Sequence, residues 1–141
     1  MESHVTFTVA NKYAELDRIA AEVAKFCGNY ENLVTLENRL LLVLEELFSN
    51  TIDYGYAEED PSSHETVIKL SISENTLHVV YEDDARPFDP TLARPINMTG
   101  TVEDRPVGGL GIHLVTTIMS SVDYEHIESR NRLTMKMTIP T

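Results

Sequence analysis

Glu46 and Asn50 stand four apart in Leu44-Glu45-Glu46-Leu47-Phe48-Ser49-Asn50, so on a helix both project from one face about one turn apart. A carboxylate beside a carboxamide suits a general base next to a hard-cation ligand. The amide oxygen binds Mg²⁺ without adding negative charge near phosphate. The same spacing also describes a solvated helix flank. A second segment, Tyr81-Glu82-Asp83-Asp84-Ala85-Arg86-Pro87-Phe88-Asp89-Pro90, carries two aspartates into a proline-stiffened turn. Carboxylates at a strand's end can accept hydrogen bonds from a ligand amine, and they are equally at home in turns. The third is Val107-Gly108-Gly109-Leu110-Gly111-Ile112, three glycines in four positions ahead of an apolar run. Glycine lets backbone N–H groups approach phosphate, and a helix N-terminus adds a favourable dipole. The segment lacks the Lys-Ser/Thr of a P-loop and the glycine spacing of a dinucleotide fold, and a flexible hinge would look similar.

These residues need elements to place them. His4 to Val9 alternates, with Val5, Phe7 and Val9 on one face, and predicts a strand. Tyr13, Leu16, Ile19, Ala20, Val23 and Phe26 recur at helical spacing until Gly28-Asn29. A second helix is expected from about Leu33 to Asp53, turning Leu36, Leu40, Val43, Leu44, Leu47 and Thr51 inward. Gly55 lies just past its end, where a left-handed closing residue is expected. Strands over Thr66 to Ser73 and Thr76 to Glu82 are joined through Glu74-Asn75. The stretch from Asp83 to Gly109 has four prolines and little periodicity, a long loop of the kind that usually carries function. A helix from about Gly111 to Met119 follows. Strands Ser121 to Glu128 and Leu133 to Pro140 then close the chain, turning at Ser129-Arg130-Asn131. The expected fold is α+β, one domain over residues 1–141, with helices on one face of a mixed sheet.

Composition narrows the partners. The 141 residues carry 23 acidic and 11 basic side chains, net −12, so the chain repels nucleic-acid backbones and offers no basic stripe. Any bound polyphosphate would need a divalent cation and backbone N–H groups for compensation. The acidic surface also suits a basic protein partner. No apolar run approaches the roughly 20 residues that span a bilayer, and the N-terminus lacks a signal-peptide pattern. Cys27 is single and reads as a packed thiol, which fits a cytoplasmic protein. The five histidines show no pairing at metal-ligand spacing. The leucine-rich faces of the first two helices serve a core or a homodimer equally well.

In order, the three segments resemble the nucleotide-binding boxes of the GHKL ATPase/kinase superfamily, in particular the small bacterial anti-sigma factor serine/threonine kinases. Glu46-x-x-x-Asn50 looks like the N-box, Asp83 to Pro90 like the first glycine box, and Gly108-Gly109-Leu110-Gly111 like the second. Tyr124 and Asn131-Arg132-Leu133 are similar to the usual final hairpin. The resemblance implies a two-layer α/β sandwich of the GHKL (Bergerat) type, holding ATP and Mg²⁺ beneath a lid formed by Thr91 to Val107. By position it makes Glu46 the catalytic base, Asn50 the Mg²⁺ ligand and Asp83 the acceptor of the adenine amino group. Ala85, Pro87 and Phe88 would lie beside the base. Gly108, Gly109, Leu110, Gly111, Ile112 and Arg105 would lie along the phosphates, and Arg86 is a further candidate cation. The implied activity is phosphoryl transfer to a Ser/Thr of an anti-sigma factor antagonist, with a sigma factor as a sequestered partner. The other reading is a non-catalytic, ATP-regulated binding module. Two positions depart from the pattern: Ala85 where glycine is frequent, and Tyr54 where some relatives carry histidine.

Overall fold

Alternation builds the sheet. In a computed structural model describing residues 4–92 and 109–140, five strands lie in the order β1-β2-β3-β5-β4. They are β1 His4–Ala10, β2 Glu65–Ser73, β3 Thr76–Asp83, β4 Ser121–Ile127 and β5 Arg130–Thr138. Every neighbouring pair is antiparallel, so the sheet is not mixed as the sequence led us to expect. Period-two burial turns Phe7, Val9, Ile68, Leu70, Leu77, Val79, Tyr81, Leu133, Met135 and Met137 to one face.

Helices α1 Leu16–Gly28, α2 Glu37–Tyr54 and α3 Gly109–Ile118 accompany the sheet. From α1, Ile19, Val23, Phe26 and Cys27 are buried; from α2, Leu40, Val43, Leu44, Leu47, Phe48 and Thr51. Apart from Thr51, these side chains and the buried sheet face form one core, the two-layer α/β sandwich that the family resemblance implies. Tyr13 does not join it. It sits in a 3₁₀ turn before α1, about half exposed, with its hydroxyl on Asp53.

Both hairpins turn on two residues with positive φ: Glu74 and Asn75 (49° and 63°), and Glu128 and Ser129 (53° and 62°). This left-handed pair matches the twist of the flanking strands. The second turn therefore falls earlier than Ser129-Arg130-Asn131, and β5 begins at Arg130. The shift moves Asn131 out of the turn and into the ladder, directly opposite Asp83.

Gly55 is also not the left-handed residue anticipated after α2; its φ is −80° and ψ −24°. Close approach accounts for the glycine instead. A Cβ there would meet the Thr51 carbonyl oxygen at 2.5 Å and the Ala85 Cβ at 2.7 Å.

Candidate functional site

Helix α2 and the exit of β3 form a cleft. Its lining includes Asn50, Thr51 and Tyr54 from α2, Asp83 at the end of β3, Ala85, Arg86 and Phe88 after it, and Asn131 from β5. It encloses about 40 Å³ of water-sized space, within about 500 Å³ of unfilled volume once the open mouth is counted. The smaller figure is room for roughly three waters, so a larger ligand would occupy the mouth as well. Two of the segments singled out in the sequence, well separated along the chain, thus face each other.

Asp83 is the chemical centre of the cleft. It is buried, and burial pushes its carboxyl above the usual range. Hydrogen bonds from Asn131, Thr51 and the Ala85 N–H oppose that rise. Asn131 Nδ2 donates to Asp83 Oδ1 at 2.8 Å, and the Ala85 N–H reaches the same oxygen at 3.2 Å. Asp83 Oδ2 has one donor among the described residues, Thr51 Oγ1 at 2.9 Å. Thr51 is itself shared, because its hydroxyl lies 2.7 Å from Tyr81 Oη and 3.0 Å from the Leu47 carbonyl. One proton cannot serve both acceptors, so Tyr81 donates to Thr51 and Thr51 donates onward.

Asn131 ties the strand's exit together. Besides Asp83, its Nδ2 donates to the carbonyls of Ala85 (3.1 Å) and Arg86 (3.0 Å), while its Oδ1 accepts from Tyr124 Oη and the Phe88 N–H. Sequence reasoning placed Asn131 in a turn and Thr51 in the core, and missed both as partners of Asp83. The signal was present. Asn131, Leu133, Met135 and Met137 alternate, which puts Asn131 on the inner face.

Asn50 Oδ1 is buried and has no hydrogen-bond partner among the described residues. An unsatisfied buried carbonyl is costly and fits an oxygen that awaits a cation. Glu46 is half-buried one helical turn earlier and is not among the residues lining the cleft. Pro87, expected beside the base, is exposed and also outside the lining. Gly109, Leu110, Gly111 and Ile112 form the first turn of α3, which starts two residues earlier than expected. Arg105, Gly108 and the proposed lid from residue 93 onward lie outside the described residues.

The Ala85 departure has a local explanation. Its methyl group packs where Gly55 has no side chain, and the Arg86 N–H donates to the Gly55 carbonyl at 3.0 Å. The bulk of one position is balanced by the smallness of the other.

Behind the cleft, Asp84 accepts from Tyr56 Oη at 2.6 Å and lies 2.7 Å from His64 Nδ1. Burial alone would raise its carboxyl, but these two hydrogen bonds outweigh it and hold the carboxyl below the usual range. On the opposite sheet face, Glu82 is flanked by Lys69 (3.3 Å), Arg132 (3.5 Å) and Arg130 (3.7 Å).

No helix among the described residues is long and apolar enough to cross a membrane. Comparison with known proteins agrees with the geometry. The chain is 24% identical over 103 residues to the serine-protein kinase RsbW of Bacillus pumilus, covering 70% of this chain and 62% of that protein. It is 24% identical over 96 residues to the serine/threonine-protein kinase BtrW of Bordetella bronchiseptica, covering 68% and 66%. RsbW of Bacillus subtilis gives 26% over 103 residues, covering 70% and 61%. The chain thus spans about three-fifths to two-thirds of the length of these relatives. A crystal structure of the RsbU and RsbW domains of a Mycobacterium tuberculosis protein superposes with a TM-score of 0.64 at 12% identity. That superposition covers 98% of this chain and 33% of the other, and it shows the shared fold. The profile of the histidine kinase-like ATPase domain matches residues 9–137, and the chain belongs to that family.

Proposed function

We propose that this domain binds MgATP in the cleft and transfers the terminal phosphate to a serine or threonine of a partner protein. The observation that carries the reading is Asp83: a buried carboxylate whose Oδ2 meets a single described donor and keeps a lone pair for an exocyclic amino group. Adenine presents such an amine, whereas guanine presents a carbonyl oxygen at that position and would be repelled.

Asn50, with its unpartnered Oδ1, would hold Mg²⁺. The bound ion supplies neutralisation of charge on the phosphate oxygens. Glu46 is the residue to accept the proton of the attacking hydroxyl. The first turn of α3, at Gly109 to Ile112, would turn its N–H groups to phosphate, with Gly108 and Arg105 as further contacts in the same proposal. The names of the relatives, serine and serine/threonine kinases, support a hydroxyl acceptor. Following the family resemblance, that acceptor is an anti-sigma factor antagonist, and a sigma factor is the sequestered partner.

Thermal unfolding with and without MgATP tests the binding step. Nucleotide at about 100 times its dissociation constant should stabilise the fold by roughly 2.7 kcal/mol, with a smaller effect from MgGTP. A folded sample unmoved by millimolar MgATP would exclude the nucleotide reading. A shift without phosphate transfer to any candidate partner would leave the binding module instead.

A further inference from the structure

The residue after the adenine acceptor is held by a network that the proposed chemistry does not use. Asp84 receives Tyr56 Oη at 2.6 Å and lies 2.7 Å from His64 Nδ1. The other ring nitrogen of His64 is 3.2 Å from Glu59 Oε1. The Tyr56 and His64 rings stack, with centroids 4.4 Å apart and planes 22° from parallel. Tyr56 Oη in turn accepts from Asn11 Nδ2 at 2.9 Å, and Asn11 Oδ1 accepts from Thr66 Oγ1 at 2.6 Å. The Asn11 N–H donates to the His64 carbonyl at 3.0 Å. The network therefore joins the end of β1, the start of β2, the segment after α2 and the exit of β3.

We propose that His64, as an imidazolium shared by Asp84 and Glu59, is a positioning residue for the nucleotide cleft: it clamps the chain next to Asp83 and couples nucleotide affinity to its own protonation. Two carboxylates, one on each ring nitrogen, need two N–H donors. A neutral imidazole has one and turns a lone pair toward the other carboxylate. The hydrogen bond to Asp84 is the main cause that raises the imidazole's pKa; desolvation opposes it, and the hydrogen bond to Glu59 adds to the rise. The titratable groups facing His64 are Asp84 from the exit of β3, Glu59 and Asp60 from the loop, and the stacked Tyr56. The residue just past β1, Asn11, and Thr66 of β2 are neutral.

The sign follows from the raised pKa. The clamp is complete below the ordinary imidazole value and is lost as pH rises through the raised one. Affinity for nucleotide weakens along the same path. By reciprocity, bound nucleotide raises the imidazole's pKa further.

This inference rests on the nucleotide reading, so the experiment separates the two. MgATP affinity of the full chain is measured by calorimetry between about pH 5 and 8 for the wild type and His64→Gln. The variant's profile carries the titration of ATP itself. The wild type should lose roughly five- to tenfold in affinity relative to His64→Gln across that range. The His64 imidazole, followed by NMR, should titrate at higher pH when MgATP saturates the protein. Parallel calorimetric profiles, or an imidazole unmoved by nucleotide, would overturn the coupling while leaving the nucleotide site intact. Absence of MgATP binding by the wild type at every pH would overturn both. Should His64→Gln fail to fold, the NMR titration of the wild type decides alone.

Discussion

Asn131 and Asp83 stand directly opposite each other in the β3–β5 ladder, and the Asn131 amide donates to Asp83 Oδ1 at 2.8 Å. The same amide holds the carbonyls of Ala85 and Arg86, so one side chain fixes both the acceptor and the backbone beside it. Asn131→Ala removes a donor from the Ala85 and Arg86 carbonyls and one of the two donors to Asp83 Oδ1, and should cost about 1–3 kcal/mol in urea unfolding. It should also weaken MgATP binding, measured by calorimetry. Unchanged values of both would show that the exit of β3 is held by other contacts.

Asp83→Asn separates stability from binding. Burial raises the native carboxyl pKa above its unfolded value of about 4. Between those values the native state binds more protons than the unfolded chain, so lowering the pH through that window stabilises the wild type. The variant carries no buried charge and should be at least as stable as the wild type at neutral pH. Its advantage should shrink as pH falls, as denaturation midpoints across pH will show. Its MgATP-induced thermal shift should vanish, because an amide that donates to Thr51 no longer offers a lone pair to an amine. A retained shift would move the base elsewhere.

The Gly55 and Ala85 pair makes a double-mutant cycle informative. Gly55→Ala drives a methyl into the Ala85 Cβ and the Thr51 carbonyl and should destabilise by about 1–3 kcal/mol. In an Ala85→Gly background the penalty should fall without disappearing, since the Thr51 carbonyl remains. Equal penalties in both backgrounds would mean that the two positions do not sense each other.

Glu46→Gln keeps the shape of α2 and removes a proton acceptor. Phosphate transfer to the partner, once identified, should fall by a factor of roughly 10² or more while MgATP affinity holds. Undiminished transfer would take Glu46 out of the mechanism.

Much of the scaffold was legible because apolar spacing reports burial directly. Leu40, Val43, Leu44 and Leu47 face the core as their helical period requires, and Ile68 with Leu70 as their alternation requires. Asn50 and Asp83 were singled out in two separate segments, and the structure brings both into one cleft, while Glu46, which the spacing pairs with Asn50, is not in its lining. Their proposed roles are for the experiments above to decide. The partners of Asp83 were harder to see. Thr51 has a core position's spacing, and nothing local says that its hydroxyl bridges Tyr81 and Asp83. Asn131 looked like a turn residue because Ser129-Arg130-Asn131 is polar, but the two-residue turn at Glu128-Ser129 places it in the strand. Likewise Gly55 suggested a chain reversal, when what selects it is a neighbour thirty residues away.

Glu82, Asp83 and Asp84 form an unbroken acidic triplet, yet each charge has a different address. Glu82 meets Lys69, Arg130 and Arg132 on the outer face, Asp83 meets Asn131 and Thr51 in the cleft, and Asp84 meets Tyr56 and His64 behind it. For Glu82 and Asp83, the last two residues of β3, the address is a matter of parity, and a one-residue slip flips every side chain of a strand to the opposite face. Deleting one residue from the β2–β3 turn would leave the triplet's composition and net charge intact while handing Asp83's place in the cleft to a neighbour. Which carboxylate faces the cleft is thus a phase, inherited from where the hairpin turns.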